Sequence, residues 1–274
     1  MKNTGKMTCA LQNGELKDIE EVENGLKCNC LCPSCGERLI AKKGNVKKHH
    51  FAHKSGINCE YGYETSLHLM AKDIFNELKI IKIPKVTLHM PGSNVHKTLY
   101  EENYVSVDRV ELEKKIGDIV PDIVVYVKEK ILLIEIYVTH KIDSEKLDKI
   151  KNNNMSVIEI DLSDIKEPIN KKELTKILID ETDRKNWINN PKVKEWYNKY
   201  RSLAKRYPCV YRGMFAIHAD YCPIKVRMYN GKPYANVMDD CIFCPYIVDV
   251  DNEDGILCTG DKKIDTVEDV KKYF

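Results

Sequence analysis

The chain has 274 residues, a formal net charge of +2 and 31% charged side chains, so its surface is of mixed sign and any basic patch is local. It contains no run of eighteen apolar residues and opens on Met1-Lys2-Asn3-Thr4-Gly5 without an apolar leader. These features argue against a helical membrane span and predict a cytoplasmic protein. In that compartment the eleven cysteines point to metal ligation rather than to disulfides.

Met7–Gln12 alternates like a short strand, and Asn13-Gly14 is a hairpin turn signal. A segment to about Tyr61 then holds Cys32-Pro33-Ser34-Cys35, His49-His50-Phe51-Ala52-His53 and Cys59. Zinc takes four nitrogen or sulfur ligands in a tetrahedron, and a Cys-x2-Cys turn supplies two of them. A segment this short and polar cannot bury much core, so a metal replaces the missing hydrophobic energy. The expected ligands are Cys32, Cys35, His53 and Cys59, with His50 as a substitute and Cys28, Cys30 and His49 as spares. Four protein ligands leave no position for substrate, so the role is structural. The histidines also stand among Lys47, Lys48 and Lys54, and such a basic loop grips phosphate.

Glu64–Leu78 has helical period, with Leu67, Ala71, Ile74 and Leu78 as its apolar stripe. Glu64, His68 and Lys72 run along the border of that stripe. Val105–Val110 is a candidate strand. Asp118–Val127 and Ile131–Thr139 are β-branched runs joined by Lys128-Glu129-Lys130, a predicted hairpin. Asp143–Lys151 reads as a helix and Val157–Leu162 as a strand, a crossover that makes part of the sheet parallel. Leu174–Ile179 is a short helix.

Trp187–Tyr207 reads as a basic, aromatic helix, interrupted early by Pro191. Its Trp187, Trp196, Tyr197 and Tyr200 lie among lysines and arginines, a combination suited to nucleic acid. An amphipathic helix packing Trp196, Tyr200 and Leu203 on a core is the competing reading. From about Tyr207 the chain is rich in Cys, Gly and Tyr. Cys222, Cys241, Cys244 and Cys258 form Cys-x18-Cys-x2-Cys-x13-Cys, a four-thiolate zinc pattern. The predicted fold is α/β, a mixed sheet with flanking helices, with an N-terminal zinc-binding element and a Cys-rich C-terminal zinc module. The boundaries are 1–61, 62–182, 183–206 and 207–274.

Ile131–Val138 reads as a central strand buried on both faces, yet it carries Glu135. A buried carboxylate needs a partner. The hairpin brings Asp122 beside it, and two close carboxylates are relieved by a divalent cation such as Mg²⁺ or Mn²⁺. The competing reading pairs Glu135 with Lys72 or His68. Asp118, of the same strand parity as Asp122, is a rival.

Gly117-Asp118-Ile119-Val120-Pro121-Asp122 followed by Ile134-Glu135-Ile136-Tyr137 resembles the PD-(D/E)xK nuclease core. Together with Cys32-Pro33-Ser34-Cys35, His50-Phe51-Ala52-His53 and Glu64-Thr65-x2-His68-x3-Lys72, the pattern resembles the competence protein CoiA-like family over roughly residues 7–163. The resemblance implies a restriction-endonuclease-like core. It makes Asp122 and Glu135 ligands of a catalytic Mg²⁺ or Mn²⁺, with Glu64 and His68 reaching the site from the first helix. It also implies a metal-dependent nuclease whose partner is DNA.

The nuclease pattern places lysine, or in related members glutamine, two residues after Glu135, on the same strand face. This chain has Tyr137, so the amine must come from elsewhere, with Lys72, Lys141 and Lys146 as candidates. His140 ends the strand as a candidate base or phosphate contact, and Lys72, His140 and Lys141 are candidate nucleic-acid contacts. The alternatives are a catalytically weak or inactive nuclease-fold DNA-binding protein and a zinc-stabilised interaction protein.

Overall fold

In a computed structural model that describes residues 6–57, 59–213, 216–251 and 255–274, the chain is mixed α/β, mostly strands with a few helices. It divides into two units: Met1–Pro84 with Glu102–Asn189, and Lys85–Glu101 with Asn190–Phe274. No helix among the described residues is long and apolar enough to cross a membrane.

The first unit opens on the predicted hairpin, β1 (Cys9–Gln12) and β2 (Glu15–Asp18). Asn13 and Gly14 both take positive φ, 52° and 85°, the turn geometry that matches strand twist and that this dipeptide tolerates. β3 (Cys30–Leu31) pairs with β1, and β4 (Leu39–Lys42) pairs with β5 (His50–His53). The core here mixes small groups, Cys9, Ala10, Cys28, Cys30 and Ala41, with Met7, Ile19, Val22, Leu39 and Phe51.

α1 (Gly62–Leu78) follows and buries Leu67, Met70, Ala71, Ile74 and Phe75. Leu78, expected in that stripe, is exposed where the helix ends on left-handed Lys79. β6 (Ile80–Ile83) pairs with β9 (Asn103–Ser106); β7 (Val86–His89) and β8 (His96–Tyr100), between them in sequence, belong to the second unit. The predicted strand at 105–110 is broken, because Val107 and Asp108 separate β9 from β10 (Arg109–Leu112).

The main sheet has the order β10-β11-β12-β13-β14. β11 (Ile123–Val127) and β12 (Lys130–Tyr137) form the predicted hairpin. β11 starts later than predicted, because Ile116 and Ile119 close a turn just before Pro121. α2 (Ser144–Asn152) carries the chain over to β13 (Val157–Asp161), which lies parallel to β12 with Glu159 opposite Glu135. α3 (Lys171–Thr175) runs on into one wide helical turn to Asp180, and β14 (Lys185–Asn189) completes the sheet.

Both faces of this sheet are covered. Ile123, Val125, Leu132, Ile134, Ile136, Ile158 and Ile160 share a core with α1, while Val124, Leu133 and Val157 pack with Ile150 of α2. Each such side chain contributes roughly 1.5–3 kcal/mol on burial. The period of two then fixes the polar groups: Glu135 and Glu159 project on the α2 face.

In the second unit β7 pairs with β8. α4 (Pro191–Leu203) leads into β15 (Lys205–Tyr207), which forms a three-stranded sheet with β20 (Ile247–Asp251) and β21 (Gly255–Cys258). β16 (Cys209–Arg212), β17 (Ala216–Asp220), β18 (Arg227–Tyr229) and β19 (Lys232–Asn236) make a four-stranded sheet, and α5 (Val267–Lys271) ends the unit.

The helix expected from Trp187 to Tyr207 needs correction. It begins at Pro191, where the fixed φ suits a first helical residue and Asn190 caps the Lys192 N–H. Trp187 lies instead on β14, its indole N–H on the Pro84 carbonyl at 3.2 Å. Trp196 and Tyr200 are buried, bonded to the Tyr100 hydroxyl (3.0 Å) and the Asp265 carbonyl (3.1 Å). Their rings are therefore committed to packing. Lys192 and Lys199 both pair with Glu195.

Candidate functional site

The end of the hairpin β11–β12 opens into a cleft of about 250 Å³ lined by Glu64, His68, Asp122, Glu135, Tyr137 and Lys146, with His140, Lys141, Asp143 and Glu159. Asp122 stands between Pro121 and the first residue of β11. One carboxylate oxygen accepts the Ile136 N–H across the hairpin at 2.8 Å, and the other lies 3.4 Å from His68 Nδ1. Burial pulls this carboxyl's pKa up, but the His68 contact and the Ile136 N–H outweigh it, and the net shift is down.

Glu135 is 7% exposed, and its Oε2 accepts a hydrogen bond from Lys146 Nζ at 2.7 Å. Lys146 also donates to the Val120 carbonyl at 3.1 Å. The competing pairings with Lys72 and His68 are not the ones formed. Lys72 is buried with its ammonium on Glu113, and it does not line the cleft. Of the three lysines able to replace the missing strand lysine, Lys146 holds the glutamate. Lys141 lies over the Tyr137 ring, 5.2 Å from its centre.

Two buried polar atoms at the cleft have no hydrogen-bond partner: Glu135 Oε1 and His68 Nε2. Such atoms cost stability unless something else satisfies them, and both are donors suited to a divalent cation. Glu64 accepts from the Thr139 hydroxyl, and Thr139 Oγ1 lies 2.8 Å from His140 Nδ1, which ties the end of β12 to α1. Asp118, the rival to Asp122, is exposed in the preceding turn.

Glu159 was not anticipated. It is 7% exposed beside Glu135, and burial raises its pKa. Its signal was present: Ile158-Glu159-Ile160 repeats the pattern of Ile134-Glu135-Ile136, an acid inside an apolar strand. Only the parallel register places the two side by side.

Burial pushes the Glu135 carboxyl up to about 7, with Lys146 offsetting part of the effect and Asp122 adding to it. The folded state therefore holds this proton more tightly than the unfolded chain, and stability is lost as pH rises from 4.5 towards 7. Without added Mg²⁺ or Mn²⁺, wild type should lose up to about 3 kcal/mol relative to Glu135→Gln across that window. Urea unfolding of both at several pH values measures it, and a flat difference would mean that Glu135 stays ionised throughout.

The N-terminal cluster is built by two tight turns and a strand end. Cys32 accepts the Gly36 N–H on its carbonyl at 2.9 Å and donates its own N–H to Glu37 at 2.8 Å, closing the Cys-x2-Cys turn. His53 ends β5, and Cys59 precedes α1. The donor atoms of Cys32, Cys35, His53 and Cys59 all lie within 4.8 Å of one another, with Cys35 Sγ 3.3 Å from His53 Nε2. Three sulfurs and one imidazole nitrogen in such a group fit a tetrahedral zinc ion.

His50, the predicted substitute, lies outside this group. Its Nδ1 contacts the Lys48 carbonyl at 2.9 Å, and it is 8% exposed. His53, two positions before Ser55 on the same hairpin, supplies the nitrogen. The spare Cys28 and Cys30 are core residues, and His49 meets Glu20 at 2.7 Å.

α1 starts against the cluster. A Cβ on Gly62 would lie 3.2 Å from Cys59 Sγ and Met7 Sδ and 3.4 Å from Cys32 Sγ. The same helix, held in the core by Leu67, Met70, Ile74 and Phe75, carries Glu64 and His68 into the cleft.

Residues 12–62 match the model of the family described as Competence protein CoiA, N-terminal domain. The match spans the whole Cys/His group and ends just before Glu64, and it supports a CoiA-like assignment. Neither the curated proteins nor the solved structures yield a match to this chain.

Proposed function

We propose that this protein is a metal-dependent nuclease that hydrolyses DNA phosphodiesters at the cleft between Asp122, Glu135 and Lys146. The observation that carries the reading is Lys146 Nζ at 2.7 Å from Glu135. A nuclease site of this kind pairs its acidic strand residue with an amine, and here α2 delivers that amine where the strand offers only Tyr137. A mixed sheet flanked by α1 and α2 carries this cleft at the end of the β11–β12 hairpin.

Asp122 and Glu135 would hold the Mg²⁺ or Mn²⁺, with His68 beside Asp122. A bound divalent cation would lower the pKa of a coordinated water and stabilise charge on the phosphodiester. Lys146 fixes the Glu135 carboxylate and offsets its charge in a buried setting. Lys141 and His140, exposed at the mouth, are placed to meet phosphate. The match to a competence protein family fits a role on DNA.

Lys146→Ala is expected to slow cleavage about 10²-fold, the scale of losing one positioned group. Tyr137→Lys in that background should restore much of the rate, because residue 137 shares the strand face of Glu135. Loss of rate without rescue would make Lys146 a structural partner of α2 rather than the relocated amine. The test of the function itself is cleavage of labelled single- and double-stranded DNA by the zinc-loaded chain with Mg²⁺ or Mn²⁺. DNA binding without cleavage under both ions would instead select an inactive DNA-binding protein.

A further inference from the structure

The four C-terminal cysteines belong neither to the cleft nor to the N-terminal cluster, and they line one cavity, although no three of their sulfurs lie within 4.8 Å of one another. Cys222 lies in the turn after β17, Cys241 and Cys244 open and close a short helical turn, and Cys258 ends β21. All four line one pocket of about 30 Å³, whose other walls include Pro223, Ile224, Val226, Ile247 and Ile256. A space of that size holds one ion or one water. A buried water needs two to four polar partners, which these walls do not offer beyond sulfur.

The hydrogen bonds at sulfur separate two kinds of cysteine in this chain. Cys9, Cys28 and Cys30 direct their thiols at backbone carbonyls, as protonated core residues do. Cys32 and Cys59, in the N-terminal cluster, instead accept backbone N–H groups from Ser34 and Tyr61, two residues further on. Cys244 and Cys258 repeat that pattern, accepting the N–H of Tyr246 and of Gly260, the latter at 3.2 Å. An N–H bonded to sulfur suits a metal-bound thiolate, and two of the four sulfurs, Cys244 and Cys258, are arranged so; buried thiolates need a cation. Gly260 packs tightly there: a Cβ would lie 3.0 Å from Pro223 and 3.2 Å from Cys258 Sγ.

We propose that Cys222, Cys241, Cys244 and Cys258 bind a second structural zinc ion in a closed tetrathiolate site. The four thiol protons leave to solvent as zinc enters, and no position remains for substrate. The ion ties the four-stranded sheet, through Cys222, to the three-stranded sheet, through Cys258. Cys209 is left out, because it sits on β16 opposite Ala219 and does not line the pocket.

Native mass spectrometry of the full chain purified with zinc should give two zinc ions per chain, falling to one in Cys244→Ser and to one in Cys35→Ser. Cobalt-loaded Cys35→Ser should keep an all-sulfur absorption spectrum. Should Cys244→Ser not fold, thiol mapping of wild type decides: alkylation of Cys222, Cys241, Cys244 and Cys258 should be blocked until a mercurial releases zinc. One zinc per chain in wild type, native alkylation of these four thiols, or disulfides among them would each overturn the proposal, and none of these results depends on cleavage activity.

Discussion

Glu135→Ala is expected to lower DNA cleavage by at least about 10³-fold, equivalent to roughly 4 kcal/mol of transition-state stabilisation. The side chain is one of two carboxylates proposed to hold the divalent ion, and its Oε1 is buried with no hydrogen-bond partner. Folding should survive. Burying the carboxyl is itself costly, since burial pushes it up to about 7, and Lys146 keeps its bond to the Val120 carbonyl. Asp122→Asn should behave alike, because an amide oxygen still accepts the Ile136 N–H while the charge is gone. Rates on labelled DNA, set beside urea unfolding of each variant, separate chemistry from folding. Cleavage at the wild-type rate in both variants would rule out this site as the source of activity.

Removing zinc from the N-terminal cluster should unfold the segment around it and take cleavage with it. The cluster joins two turns, the end of β5 and the start of α1. Structural zinc binding contributes on the order of 10–16 kcal/mol in zinc-finger peptides, comparable to what the buried Met7, Ile19, Val22, Leu39 and Phe51 supply here. In Cys35→Ser, amide exchange should therefore speed up over residues 30–68, while the strands 123–127 and 130–137 stay protected. Glu64 and His68 would lose their fixed approach to Asp122, and cleavage should drop about 10²-fold or more. Wild-type exchange around residues 59–70 together with full activity would show that the cluster does not position α1. Gly62→Ala probes the same contact more gently, since the added carbon must displace a sulfur by a few tenths of an ångström.

The local patterns of the chain were strong enough to be read directly. Asn13-Gly14 demanded positive φ and made a hairpin; the β-branched runs around Lys128-Glu129-Lys130 paired as expected; the strand, helix, strand succession gave a parallel crossover. Boundaries were less legible, because they depend on neighbours. Pro191 looked like an interruption of a helix that began at Trp187, but proline fits a first turn, and pairing with β13 drew Trp187 into β14. The aromatics of α4 offered two meanings, and burial of Trp196 and Tyr200 settled on packing.

Residue chemistry and spacing by themselves determined the Cys-x2-Cys turns, the histidine pair and the anomalous carboxylates within apolar strands, because each is a short-range fact about ligand type or buried charge. They also suggested that a hairpin brings Asp122 near Glu135, but the register that sets the two side by side, Val127 opposite Lys130 and Ile123 opposite Ile134, came from the tertiary structure. The tertiary structure decided what depends on distant segments meeting. It chose His53 over His50, since only one of the two histidines ends its strand beside Cys35. It put Glu159 next to Glu135 through a parallel register that sequence separation conceals. It sent Lys72 to Glu113 and Lys146 to Glu135, because a lysine's partner is set by which helix face covers which strand. The amine that meets Glu135 comes from α2 across the sheet face, a pairing that only the packing of helix on sheet reveals.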